Sequence, residues 1–151
     1  AVAGSGKFFD KMEAEKKIVY SAPGPCCDYD RDGDIDMFLP NWWVGLRSLL
    51  LKNETVGGNW VDVTVTGSGK TNRQGIGSVV RIYPAGKLGQ ADALLGLQEI
   101  SVGRGYASGG EAAVHFGLGK TDKVDIEVTL PHGQGKLTKK DVAANQRLAL
   151  P

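Results

Sequence analysis

A chain of 151 residues has room for one compact core, or for one domain with a small appendage, and its 41% hydrophobic and 23% charged residues disfavour a disordered or fibrous class. A net charge of +1 gives no field strong enough to favour nucleic acid as a partner, and no run of about 18 apolar residues is present to insert into a membrane. The 22 glycines, recurring between short apolar runs, mark many turns joining short strands and predict an all-β chain.

The chain opens Ala1-Val2-Ala3-Gly4-Ser5-Gly6 without Met, as a processed or trimmed chain would. Four short apolar runs follow: Lys7-Phe8-Phe9-Asp10, Lys17-Ile18-Val19-Tyr20, Asp36-Met37-Phe38-Leu39 and residues 49–53. Four such strands make one propeller-like blade, whereas a closed propeller needs about four blades or more. Residues 1–56 are therefore read as a small N-terminal, propeller-blade-like β segment that packs against the remainder, or as the last blade of a longer parent. The two cysteines, Cys26 and Cys27, are adjacent. Their Cα atoms stand about 3.8 Å apart, closer than the usual disulfide range of about 4.4–6.8 Å, so simple packing is the first reading and a vicinal disulfide the second.

Between these runs lies Asp28-Tyr29-Asp30-Arg31-Asp32-Gly33-Asp34-Ile35-Asp36, five carboxylates on alternating positions that repel one another unless a cation sits among them. Calcium takes about 6–8 oxygens, and a loop with oxygens at relative positions 1, 3, 5, 7 and 9 can wrap it. Asp28, Asp30, Asp32 and Asp36 would offer side-chain oxygens and Asp34 its backbone carbonyl, with Gly33 free to take the sharp turn. A helix-loop-helix site is excluded, because Leu39 stands where the bidentate acid belongs and Pro40 follows. The ion is expected to hold the loop together, not to signal or catalyse. A site without that acid is of modest affinity and fills where calcium is millimolar, outside the cell.

After Gly57-Gly58-Asn59 the strands lengthen. In Trp60-Val61-Asp62-Val63-Thr64-Val65-Thr66 the three valines occupy one face, the alternation of a half-buried strand. Further strands are expected over residues 76–83, 94–102, 114–119 and 124–130. The tail, residues 135–151, reads as a strand or turn followed by Asn145-Gln146-Arg147-Leu148. Residues 57–151 thus predict a six- or seven-stranded antiparallel β-sandwich, jelly-roll-like, forming one compact unit with the first segment.

Five blocks carry a resemblance: Asn72-Arg73-Gln74-Gly75-Ile76-Gly77-Ser78, Gly103-Arg104-Gly105-Tyr106-Ala107-Ser108, His115-Phe116-Gly117-Leu118-Gly119, Val124-Asp125-Ile126-Glu127-Val128 with Leu130-Pro131-His132-Gly133, and Val142-Ala143-Ala144-Asn145-Gln146. In order and spacing they resemble the ASPIC/UnbV domain, found at the C-terminus of extracellular proteins such as the cartilage acidic protein. The acidic loop with Gly24 and Phe38-Leu39-Pro40-Asn41 is similar to the FG-GAP/VCBS calcium-binding repeat that precedes that domain. The resemblance implies a secreted, calcium-stabilised, non-catalytic adhesion or binding module.

The residues themselves offer little for catalysis. His115 and His132 lie in different segments, Ser108 lacks the strand-to-helix setting of a nucleophile elbow, and Gly67-Ser68-Gly69-Lys70-Thr71 lacks full phosphate-loop spacing. Binding is the sharper expectation. Trp42 and Trp43 follow the calcium strand, and with Arg104 and Tyr106 they are the candidate contacts to a polysaccharide or extracellular matrix component, since flat aromatic faces suit sugar rings. Trp60 is expected to fill the core. The alternative role is a structural cap that closes a larger propeller and mediates protein adhesion.

Overall fold

The computed structural model describes residues 24–41, 47–103, 105 and 108–151. The expected strands at residues 7–10 and 17–20 lie outside these, as do Trp42, Trp43, Arg104 and Tyr106. Ten strands fill the described chain: β1 (Cys26–Cys27), β2 (Asp36–Leu39), β3 (Leu49–Leu51), β4 (Asn59–Val65), β5 (Val79–Pro84), β6 (Gly96–Glu99), β7 (Val114–Gly119), β8 (Lys123–Thr129), β9 (Lys136–Ala143) and β10 (Gln146–Leu150). They form three sheets, ordered β1-β2-β3, β10-β4-β7 and β6-β5-β8-β9.

The second and third sheets make the sandwich. Alternation along β4 turns Val61, Val63 and Val65 inward, where they meet Val80 and Ile82 of β5, Val114, Phe116 and Leu118 of β7, and Val124, Ile126 and Val128 of β8. Each such side chain removed from water contributes roughly 1.5–3 kcal/mol. This shared core locks the register, because a one-residue slip would turn every valine outward. Pairing is antiparallel except between β10 and β4, which run parallel from Gln146↔Val61 to Leu150↔Val65.

Asn145 explains how β10 arrives there. It takes a left-handed backbone (φ 60), which Asn tolerates better than most residues, and ends β9. Its N–H donates to the Trp60 carbonyl at 2.7 Å and its Oδ1 accepts the Trp60 N–H at 3.1 Å, so the chain leaves the turn alongside β4. Asp125 does similar work at the other sheet. Although 1% exposed, it is satisfied: Oδ1 accepts from Asp141 N–H at 3.0 Å and Oδ2 from Gly86 N–H at 2.9 Å.

The strand expected from Ile76 begins later, at Val79. Gly75 and Gly77 both take positive φ, and the Asn72 side chain closes the turn by accepting from Ile76 N–H and donating to the Ile76 carbonyl. Likewise the strand expected over residues 94–102 is confined to Gly96–Glu99, and the tail resolves into two strands, β9 and β10. The first sheet is small. Its strand β2 falls where expected, β3 covers only the first three of residues 49–53, and Cys26–Cys27 adds a short antiparallel partner to β2.

Candidate metal centre and the cleft beside it

In the acidic loop, Gly33 at φ 99 reverses the chain and points three successive N–H groups back toward the carboxylates. Asp28 accepts from Asp32 N–H at 3.1 Å and Gly33 N–H at 3.0 Å, while Asp32 Oδ1 accepts from Asp34 N–H at 3.0 Å. Asp36, 2% exposed, accepts from Tyr29 N–H through one oxygen and from Asn53 N–H through the other. On β2 the buried residue is thus this carboxylate, while its neighbours Met37 and Phe38 face solvent.

These bonds aim carboxylates at one another. Oxygens of Asp28, Asp30 and Asp36 lie within 4.8 Å of each other. Two ligands of one calcium, each about 2.3–2.6 Å from it, lie at most about 5 Å apart, so the three fit a single ion. A carboxylate oxygen that accepts one N–H keeps a lone pair for a cation, and an all-oxygen donor set suits a hard one. The other expected ligands are placed differently. Lys52 Nζ stands 2.6 Å from Asp30 Oδ2 and 3.3 Å from Asp32 Oδ2, which draws Asp32 toward the lysine. The Asp34 N–H and then the Lys52 ammonium hold the Asp32 carboxyl below its ordinary range, and Asp30 and Asp32 push the lysine above its own.

Trp60 is not a core residue. It sits on the outer face of β4, opposite Gly117 of β7, and stacks on the diagonal His115 with ring centroids 5.9 Å apart and planes inclined 17°. The acidic loop covers it: a Cβ built on Gly33 would fall 2.0 Å from the indole Nε1. His115 in turn shares a 2.8 Å hydrogen bond between its Nδ1 and Asp62 Oδ1, its cross-strand partner, and its carbonyl accepts from Gln98 Nε2 at 2.6 Å. Loop, indole, imidazole and carboxylate form one continuous stack. Beside it lies a cleft of about 240 Å³, walled by Cys26, Cys27, Asp28 and Ile35 on one side and by Asp62, Gln98, Glu111 and His115 on the other. The cleft was not legible in the sequence, because its walls come from separate segments spread between Cys26 and His115. The alternation that put Asp62 and His115 on outward faces was the available signal.

Partial desolvation, then the negative charges of Asp36, Glu111 and Asp28, push the Cys27 thiol up. Cys26 and Cys27 are both free and both exposed, so neither the simple packing nor the vicinal disulfide expected of them is seen.

Residues 67–151, more than half of the chain, match the family described as ASPIC and UnbV. The chain belongs to this family. No curated protein matches it. In the ASPIC and UnbV region three family-like blocks have structural roles: Asn72 closes the turn before β5, Asp125 ties the β5–β6 connection to β9, and Asn145 delivers β10 to β4. The acidic loop lies before the matched region and reaches it through Trp60.

Proposed function

We propose that the protein is an extracellular, non-catalytic binding module whose acidic loop holds calcium and whose partner is a polysaccharide or matrix component. The observation that carries the reading is the convergence of Asp28, Asp30 and Asp36 at the foot of a loop seated on Trp60. The loop is taken as an FG-GAP/VCBS-type repeat of the kind that precedes this domain in cartilage acidic protein-like chains. Asp28, Asp30 and Asp36 would hold the ion, with Asp32 and the Asp34 carbonyl completing the set, and a bound cation would neutralise their mutual repulsion. Leu39 in place of a bidentate acid keeps affinity modest, which suits millimolar extracellular calcium. The cleft supports recognition next to the ion, because Asp28 both accepts the loop's N–H groups and lines the cleft. A glycan array of matrix polysaccharides, run in calcium and again in chelator, tests this. Binding in calcium that disappears in chelator is expected, and no signal on any glycan in calcium contradicts the carbohydrate reading.

A second reading, a cap within a larger propeller protein, is favoured by the cross-strand partners Phe38 and Leu50, which are 39% and 53% exposed on one face of the small sheet. Sedimentation velocity separates the two. A cap self-associates through this apolar surface, whereas a free-standing module stays monomeric.

A further inference from the structure

Lys52 follows β3 directly, and its neighbour Asn53 fixes it in place: Asn53 N–H donates to Asp36 Oδ1 at 2.7 Å and Asn53 Nδ2 to the Ile35 carbonyl at 3.4 Å. Two consecutive residues just beyond β3 therefore reach into the acidic loop, Asn53 through its backbone and Lys52 through its ammonium. That ammonium bridges Asp30 and Asp32 at 2.6 and 3.3 Å. Asp30 belongs at the same time to the three-carboxylate group with Asp28 and Asp36. Asp30 thus stands between two demands for the same negative charge. We propose that Lys52 is a tethered cation that competes with the divalent ion for the loop: it holds Asp30 and Asp32 when the ion is absent and is expelled when the ion enters. The inference rests on the calcium reading above. A +2 ion beside Asp30 repels the ammonium and attracts the carboxylate more strongly than a single charge does. Expulsion frees Asp32 to turn toward the ion. The lysine limits affinity, so that the site empties readily as calcium falls, and it keeps the ion-free loop from splaying.

Calcium titration calorimetry on chelator-stripped protein tests the competition. Lys52→Met removes the competitor and Lys52→Arg keeps it. Exposed ion pairs of this kind are individually weak, so the expected gain for K52M is modest, about three- to tenfold in calcium affinity, with K52R close to wild type. Wild-type binding with an equal or weaker K52M overturns the competition while leaving the calcium site standing. Binding of calcium by neither protein overturns both. Should K52M not fold, the wild-type lysine side-chain NMR signals answer the same question during a calcium titration. One signal moving to the position of a free lysine is expected, and none moving overturns the inference.

Discussion

Replacing Gly33 by Ala probes the docking of the acidic loop on the sandwich. At φ 99 any L-residue pays for a left-handed backbone, about 1–2 kcal/mol. The new methyl would also lie 2.0 Å from Trp60 Nε1 and 2.2 Å from Cδ1, and the indole can retreat only by leaving its stack on His115. Overpacking of this kind adds about 1–3 kcal/mol. A total near 3 kcal/mol corresponds to a melting temperature lower by about 6–12 °C for a chain of this size. Gly58 supplies the control, since it has a similar φ of 107 and nothing within 4 Å of its would-be Cβ. Gly58→Ala therefore carries the backbone cost alone, about 1 kcal/mol and about 2–4 °C. Differential scanning calorimetry of both variants in chelator isolates the contact with Trp60. Equal shifts for the two would refute the docking of the loop on the indole.

Other substitutions separate structural carboxylates from ion-holding ones. Asp125→Asn trades one of two acceptor oxygens for an amide in a buried site and is expected to cost about 1–3 kcal/mol with or without calcium, read by urea denaturation. Asp30→Asn, more exposed, is expected to lower the chelator-treated melting temperature only slightly, through loss of its weak bridge to Lys52, while abolishing the rise in calcium. Asp36→Asn does both, because Asp36 is buried, bonded to Tyr29 and Asn53 N–H groups, and part of the three-carboxylate group. The Asp32 carboxyl is lowered from its ordinary 3.8 by the Asp34 N–H and then Lys52, so its stabilisation is complete above that value and is lost as pH falls through the lowered one. Stability measured from pH 5 downward should fall less steeply in Asp32→Asn than in wild type, and parallel curves would contradict the pairing.

The parts of the fold governed by local pattern were legible. Val61, Val63 and Val65 announced a half-buried strand, and residues 114–119 matched β7 at both ends. Where φ departs from the ordinary, as at Gly75 and Gly77, apolar content alone placed the strand start too early. The parallel seat of β10 beside β4 was not legible, since it depends on Asn145 bonding to Trp60 across 85 residues. At the acidic loop, spacing pointed to the carboxylates, and three of them do converge. Lys52 was invisible there, because its reach depends on β3 pairing with β2. Trp60 looked like a core residue because its size says nothing of which face it takes; the valines beside it put it outside, under the loop.

The role proposed for the acidic loop depends on the ion. Thermal unfolding in several millimolar calcium and in excess chelator measures it directly, because a ligand bound only by the folded chain stabilises it by RT ln(1 + [L]/Kd), about 1.4 kcal/mol at a tenfold excess over Kd. A melting temperature several degrees higher in calcium, with the rise lost in Asp30→Asn, is the predicted result. Superimposable wild-type curves in calcium and chelator would contradict it.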